Sequence, residues 1–105
     1  MGSYRNRLEI IANILEIIKD GGAKKTQIMY QANLSYKLLT KYLAETLEAH
    51  LIHFEEEKGI YALTPKARFF LEEYEEYYYR NRNLEKQLND LDEKRRGLEQ
   101  LCSNR

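Results

Sequence analysis

The sequence predicts a mainly α-helical fold with one small β-hairpin. Apolar residues recur at helical spacing near the N-terminus and along the last third of the chain, whereas two short runs around Glu57-Lys58-Gly59 are typical of paired strands. The 105 residues include only five Gly and one Pro. Such a composition excludes collagen-like, linker-rich and many-stranded β architectures, and the length suits one globular domain.

The first two predicted helices occupy the N-terminal third. The first runs from Tyr4 to about Lys19, and its apolar face is so wide that we expect it to pack on two sides. Asp20-Gly21-Gly22 ends it, because Gly adopts the left-handed conformation of many helix exits. We expect Thr26 to cap a short second helix, Gln27 to about Ala32, by accepting a backbone N–H bond. The apolar positions of the first helix are Tyr4, Leu8, Ile10, Ile11, Ile14, Leu15, Ile17 and Ile18.

The third predicted helix follows a tight turn at Asn33-Leu34 and runs from its capping residue, Ser35, to about His50. At about 100° per residue, its apolar and polar positions fall on opposite faces. The residues expected in the core are Leu39, Leu43, Thr46 and His50, flanked by Tyr42 and Leu47. The outer face holds Lys37, Lys41 and Ala44, with Thr40 beside them and Tyr36 at its edge.

Two short strands and a long helix complete the chain. Residues 51–56 and 60–64 are predicted strands, joined by a turn in which Gly59 takes a positive φ. Thr64-Pro65 is a strong helix start, and no later Pro interrupts a helix that we expect to reach Leu101. The predicted domains are residues 4–64 and a long helix over residues 65–102. This order of elements is that of a winged helix-turn-helix, although other small α+β domains share it.

Charge is distributed unevenly along a chain of zero formal net charge. Residues 1–44 carry seven basic and three acidic side chains, residues 45–77 carry three and nine, and residues 78–105 carry seven and five. A basic N-terminal half can face a polyanion. The tip of the hairpin, Glu55-Glu56-Glu57, would instead repel phosphates, so we expect this wing to stay off a duplex or to contact another protein. The alternative, which we favour, is a solvated turn without a function of its own.

The basic outer face of the third helix suits close approach to double-stranded DNA. Lys side chains bind phosphates, Thr reaches phosphates or base edges, and a small Ala leaves room. The start of the second helix adds free N–H groups that favour a phosphate, and Arg5 and Arg7 could extend the surface. The alternative is that the lysines are merely solvated. The candidate DNA-binding residues are Lys24, Lys25, Thr26, Gln27, Tyr36, Lys37, Thr40 and Lys41.

The long helix carries an apolar stripe with heptad spacing, sustained over more than four heptads. A lone helix cannot bury such a stripe, so we expect a homodimer in which two copies form a coiled coil. Asn81 and Arg95 at core positions lower the stability of the pair and can fix its register. The predicted dimerisation residues are Tyr74, Tyr77, Asn81, Leu84, Leu88, Leu91, Arg95 and Leu98, with Phe70 and Cys102 at the ends of the stripe.

The sequence gives only weak evidence on whether the two helices of the predicted coiled coil run parallel or antiparallel. A parallel pair would bring Arg80 near Glu85, whereas an antiparallel pair with Leu84 opposite Leu88 would bring Arg80 near Lys94. Each exposed ion pair contributes only about 0.2–1 kcal/mol. Charge patterning therefore favours the parallel arrangement, but by a small margin.

A resemblance to a known family rests on the run Lys25-Thr26-Gln27-Ile28-Met29-Tyr30-Gln31-Ala32-Asn33-Leu34-Ser35-Tyr36, on residues 8–16 and on Tyr61-Ala62-Leu63-Thr64-Pro65-Lys66. Over about residues 4–75 the chain resembles the archaeal ArnR-like winged-helix family, in particular small DNA-binding proteins with a long C-terminal coiled-coil helix. The resemblance implies a homodimer, joined by an antiparallel coiled coil, that binds double-stranded DNA in chromatin organisation or transcription. For the relative direction of the two helices in the coiled coil, we follow this implication and expect an antiparallel pair. The resemblance places the DNA face at Ser35, Tyr36, Lys37, Thr40 and Lys41.

Other functional classes lack their sequence signatures. The chain has no Gly-rich phosphate loop, no His-Glu-x-x-His and no pair of cysteines, so we expect neither an enzyme nor a metal or other cofactor. No stretch approaches the roughly 18 apolar residues of a membrane span, and the N-terminus lacks a signal-peptide pattern. We expect a cytoplasmic, nucleoid-associated protein. The competing hypothesis is a protein-interaction module that uses the acidic wing, with the coiled coil as a dimer rod.

Overall fold

The structure, a computed structural model, describes residues 5–103 and confirms the predicted winged-helix architecture. The predicted helix start at Tyr4 lies outside the described residues. The chain divides into two compact units, one extending to Glu73 and one beginning at Tyr74. In chain order the elements are α1 (Arg7–Ile18), α2 (Lys25–Ala32), α3 (Tyr36–Glu48), β1 (Ile52–Glu55), β2 (Ile60–Leu63) and α4 (Pro65–Leu101).

The hydrophobic core lies in the first unit and is built around α1. This helix contacts both α2 and β2, which confirms that its wide apolar face packs on two sides. The sequence places Leu8 on this apolar face, but the residue lies exposed in the first turn of α1 and does not join the core. The remaining elements each add apolar side chains to the same cluster, among them Ile28, Leu39, Leu43, Ile52 and Ala67.

The start of α2 differs from the prediction. The helix begins at Lys25, with Lys24 in the N-cap position and no side-chain cap, so the prediction of Thr26 as the cap is wrong. A tertiary contact fixes the chain just before the helix: Ala23 and Tyr61 exchange backbone hydrogen bonds with N···O distances of 3.0 and 2.8 Å. Gly22 permits this approach, because its φ is +88° and a Cβ there would lie 2.9 Å from the carbonyl oxygen of Tyr61.

The turn between α2 and α3 sets the helix-turn-helix geometry. Asn33 adopts a left-handed conformation with φ 54°, which ends α2. Leu34 follows and is buried, so the turn is anchored in the core. The Oγ of Ser35 then accepts the N–H of Leu38 at 3.2 Å, which confirms Ser35 as the cap of α3.

The end of α3 also differs from the prediction. His50 has φ 60°, and the following N–H of buried Leu51 donates to the Thr46 carbonyl oxygen at 2.9 Å, as in a Schellman motif. His50 therefore leaves the helix and is exposed, and its assignment to the core face is wrong. Leu47, predicted to flank that face, is exposed as well. The buried residues of α3 are Leu39, Tyr42, Leu43 and Thr46.

The hairpin and the start of α4 follow the prediction closely. Ile52–Glu55 pairs antiparallel with Ile60–Leu63, and Gly59 in the turn has φ 65°. The Thr64 hydroxyl oxygen accepts the N–H of Ala67 at 3.3 Å, and its own proton is donated to the His50 carbonyl oxygen at 2.6 Å. The helix then begins at Pro65 and continues for 37 residues. No helix among residues 5–103 is long and apolar enough to cross a membrane.

Candidate nucleic-acid interface

Two lysines dominate the outer face of α3. Lys37 and Lys41 are exposed and lie one helical turn apart, on the side opposite the buried Leu39 and Leu43. Among residues 5–103, no carboxylate lies within 4.0 Å of either ammonium group. Lys41 instead lies 5.2 Å from the ring centroid of Tyr42. Both charges are therefore available to an external anion.

The hydroxyl groups beside these lysines have different hydrogen-bonding capacity. The Thr40 hydroxyl donates its proton to the Tyr36 carbonyl oxygen at 2.9 Å, which leaves it able to accept but not to donate. In this conformation it suits a donor on a base edge rather than a phosphate oxygen. The exposed Ser35 hydroxyl accepts from the Leu38 N–H and keeps its own proton for a phosphate.

A side-chain pair connects the starts of α2 and α3. The half-buried Lys25 donates from Nζ to the Tyr36 hydroxyl oxygen at 3.3 Å, and the same nitrogen lies 4.6 Å from the ring centroid. The hydrogen bond from Lys25, together with its positive charge, lowers the pKa of Tyr36 because both favour the phenolate form. The first turns of the two helices thus belong to one continuous surface.

The outer side of α2 contributes a tyrosine that the sequence analysis missed. Tyr30 is 86% exposed, the highest value among the exposed large hydrophobic residues described between residues 5 and 73. It lies four residues after Thr26 and three after Gln27, so all three share the outer side of α2. A tyrosine hydroxyl is a good phosphate donor. The same helical projection that located Lys37 would have located Tyr30.

Arg5 and Arg7 do not extend this surface as expected. The Arg5 guanidinium donates to the carbonyl oxygens of Ala32 and Asn33 at 2.8 and 3.3 Å, at the end of α2. Arg7 forms an ion pair with Glu45 of α3, with an Nη2···Oε1 distance of 2.9 Å. Both guanidinium groups are engaged within the fold rather than free for a polyanion.

The wing has the opposite electrostatic character. Glu56 and Glu57 are exposed and Glu55 is half-buried, and no cation among the described residues lies within 4.0 Å of their carboxylates. Behind the tip, the rings of Phe54 and Tyr61 pack with centroids 5.0 Å apart. The tip therefore presents uncompensated negative charge, which opposes contact with phosphates.

The second unit carries the apolar stripe on an exposed helix. No residue of α4 after Ala67 is buried within the described chain. Arg95, at a core position of the stripe, forms ion pairs with Asp92 and Glu99 of its own helix at 2.9 and 3.0 Å. The hydrogen bond from Arg96, followed by that from Arg95, lowers the pKa of Asp92. The charge of Arg95 is thus compensated locally. The large apolar members Tyr77, Leu84, Leu88, Leu91 and Leu98 are each 54–65% exposed.

Comparison with known proteins identifies the family. A family model described as winged helix-turn-helix matches residues 4–93. The chain belongs to the winged helix-turn-helix family. In this winged helix-turn-helix chain, α2 and α3 are the two helices of the motif and the β1–β2 hairpin is the wing. No group of three or more potential metal ligands was found among residues 5–103.

Similar proteins occur in archaea. Two uncharacterized proteins of Methanocaldococcus jannaschii, MJ0290 and MJ0287, are 39% identical over 74 residues and 41% identical over 54 residues. These matches cover 70% and 51% of this winged-helix chain but only 34% and 56% of the two relatives. The crystal structure of Sso10a-2, a DNA-binding protein from Sulfolobus solfataricus, matches with a TM-score of 0.75 at 25% identity, over 85% of this chain and 95% of that one.

Proposed function

We propose that this protein binds double-stranded DNA as a homodimer and acts in chromatin organisation or in the regulation of transcription. The observation that carries the proposal is the pair Lys37 and Lys41, exposed and without carboxylate partners on the outer face of α3. In helix-turn-helix proteins this helix enters the major groove. The similarity to Sso10a-2, which is a DNA-binding protein, supports the same class of ligand.

The proposed interface combines phosphate contacts from two helices. The N-terminus of α2 offers backbone N–H groups, with Lys24, Thr26 and Gln27 exposed around it. The Lys25–Tyr36 pair connects this end to α3, where Ser35 retains a donor proton. Thr40 is the residue best suited to a base edge. The full proposed set is Lys24, Lys25, Thr26, Gln27, Ser35, Tyr36, Lys37, Thr40 and Lys41, with Tyr30 added from the structure.

The proposed dimer buries the apolar stripe of α4 against a second copy. Burial of a large apolar side chain contributes roughly 1.5–3 kcal/mol, and the stripe of each helix includes five large apolar side chains that are more than half exposed. In the antiparallel arrangement with Leu84 opposite Leu88, Tyr77 lies opposite Arg95, where a cation–π contact would replace an apolar one. The local ion pairs of Arg95 reduce the cost of placing its charge at the seam.

Electrophoretic retardation of a random-sequence duplex tests DNA binding. We expect retardation that weakens between low and moderate salt, because phosphate contacts release counterions. A chain that acts only as a protein-interaction module through its wing would leave the duplex unretarded at every salt concentration, and this result would refute the proposal. Binding to a pool of random duplexes followed by sequencing then separates the two roles: one enriched motif indicates a regulator, and broad retention indicates an architectural protein.

A further inference from the structure

A second cationic surface lies on α4, on the side of the helix away from the apolar stripe. At about 100° per residue, Lys86 projects roughly 160° from Leu84, so the two occupy opposite sides of the helix. In any pair joined through the stripe, the side that carries Lys86 faces outward. An open recess on this side, which we call the α4 patch, is lined by two cations, Arg82 and Lys86, by Tyr78, Tyr79, Asn83 and Asn89, and by the carboxylate of Glu85.

The cations of the α4 patch differ from others on the same helix. Arg80 and Arg96 are paired with Glu76 and Asp92, respectively. No carboxylate among residues 5–103 lies within 4.0 Å of the Arg82 guanidinium or the Lys86 ammonium group.

Aromatic and amide side chains complete the patch. Arg82 lies with its Cζ 5.9 Å from the ring centroid of Tyr78, which supports the guanidinium without neutralising it. Tyr79 is 69% exposed and offers a hydroxyl donor. The one carboxylate in the recess, that of Glu85, accepts a hydrogen bond from Asn81 at 3.5 Å. Two uncompensated cations therefore face one acidic group.

We propose that the α4 patch binds the phosphate backbone of double-stranded DNA, so that the second unit contacts the nucleic acid as well as joining two copies. Arg, Lys, Tyr and Asn side chains are the usual donors to phosphate oxygens. Arg82 and Lys86 are separated by about 6 Å along the helix axis, and a duplex carries one negative charge per about 1.7 Å. The inference rests on the proposed function, because it assumes the same ligand.

An acidic protein segment is a less suitable occupant. The patch is rich in side-chain donors and is open to solvent, so it differs from the enclosed apolar pockets that hold a peptide side chain. The wing of a second copy offers carboxylates to the two cations. It also exposes the apolar ring of Phe54, and the patch contains no large apolar side chain to cover that ring apart from Tyr78 and Tyr79. Phosphate oxygens can accept from every type of donor in the patch, so a duplex would require no such pocket.

A matched pair of double variants of the full-length chain tests the inference. Arg82→Gln with Lys86→Gln removes the two unpaired cations, whereas Arg80→Gln with Arg96→Gln removes two paired cations from the same helix. We expect the patch variant to raise the dissociation constant for a random duplex about tenfold or more near 0.1 M salt, and to lower the slope of its salt dependence by about 2. The control should change the constant less than about threefold. Equal effects of the two variants would overturn the inference.

Photo-crosslinking identifies the occupant directly. Replacement of Tyr79 by benzoylphenylalanine in the full chain should give a protein–DNA adduct on irradiation with duplex. An adduct only with the hairpin of another chain would make a second copy the occupant and would refute DNA at this site.

The variants also separate the two proposals. Wild-type chain that fails to retard DNA removes the proposed function and this inference together. Retardation that depends on Lys37 and Lys41, but not on Arg82 and Lys86, removes the inference alone.

Discussion

The two units of the molecule differ in the burial of their leucines. In the first unit, Leu15 and Leu39 are fully buried in a core to which every helix and strand of that unit contributes. In the second unit, four leucines of the stripe are more than half exposed. A fully buried leucine stabilises a fold by roughly 1.5–3 kcal/mol, so the first unit contains its own source of stability. In the proposed dimer, the second unit would gain the same kind of burial from a second copy.

The largest effect should follow from a charge in the stripe. Leu88→Asp would bring a carboxylate into an apolar seam twice in each dimer, so we expect the dimer dissociation constant to rise about 1,000-fold, or roughly 4 kcal/mol. Sedimentation at several concentrations measures this change. The neighbouring Asn89→Asp adds the same charge on the outward side and should leave the dimer intact. Monomeric wild-type protein at micromolar concentration would contradict the proposal that a second copy stabilises the second unit.

A cavity in the first unit should act on folding and leave association unchanged. Leu15→Ala removes a fully buried side chain, and we expect the free energy of unfolding of this unit to fall by about 2–5 kcal/mol. Chemical denaturation followed by circular dichroism, at a protein concentration that keeps the dimer fraction constant, measures the loss. Leu91→Ala, in the stripe, is the counterpart: it should weaken the dimer with little effect on the first core. Indistinguishable behaviour of the two variants would show that the units are not independent.

DNA affinity should depend on the first unit through two charges. Lys37→Ala with Lys41→Ala removes two proposed phosphate contacts from each interface, so we expect about tenfold or weaker binding to every duplex and a salt slope smaller by about 2. Fluorescence anisotropy over a salt series measures both quantities. Lys19→Ala with Lys58→Ala is the control, since Lys19 is the residue that caps the C-terminal end of α1 and Lys58 lies in the turn of the wing. Unchanged affinity and slope in the α3 variant would remove this face from the interface.

A smaller effect should appear at the pair that joins α2 and α3. Lys25 holds the pKa of Tyr36 below the ordinary value of a phenol, so Tyr36 should ionise at a lower pH than a free tyrosine. Lys25→Met removes the donor and the charge and should raise that pKa. Carbon-13 NMR titration of labelled tyrosine, with Tyr36→Phe used to assign the signal, follows the change. A titration curve unaffected by Lys25→Met would mean that the pair does not form in solution.

The smallest expected effect is that of mild oxidation, which should form no disulfide between the two copies. Cys102 occupies a core position at the end of the stripe, so in a parallel coiled coil it would face the same residue of the second copy. In the proposed antiparallel pair the two thiols lie at opposite ends. We therefore expect mild oxidation of the dimer to give no covalent product on a non-reducing gel. Rapid and complete cross-linking within the dimer would establish the parallel direction.

The elements of the fold followed from local patterns, while their exact ends depended on distant contacts. Pro65, Gly59 and Ser35 act within their own turns, and the structure confirms their predicted roles. Thr26 is a good cap by propensity, but the Ala23–Tyr61 bridge fixes the chain before it and α2 starts earlier. Propensity alone contains no information about such a bridge.

In the candidate site, too, local features could be predicted from the sequence and distant contacts could not. The exposure of Lys37 and Lys41 follows from helical periodicity, which the sequence contains. The engagement of Arg5 with the end of α2, and of Arg7 with Glu45, joins residues 27 to 38 positions apart. These partners depend on tertiary packing, so the sequence suggested free cations where the structure shows paired ones.

The anchoring of Arg5 has a practical consequence for binding measurements. Its guanidinium donates to the carbonyl oxygens of Ala32 and Asn33, where α2 ends and the turn to α3 begins. A fluorophore attached at Arg5 would remove these two hydrogen bonds next to Ser35, a residue of the proposed DNA face. Labels for affinity measurements therefore belong on solvent-facing positions elsewhere.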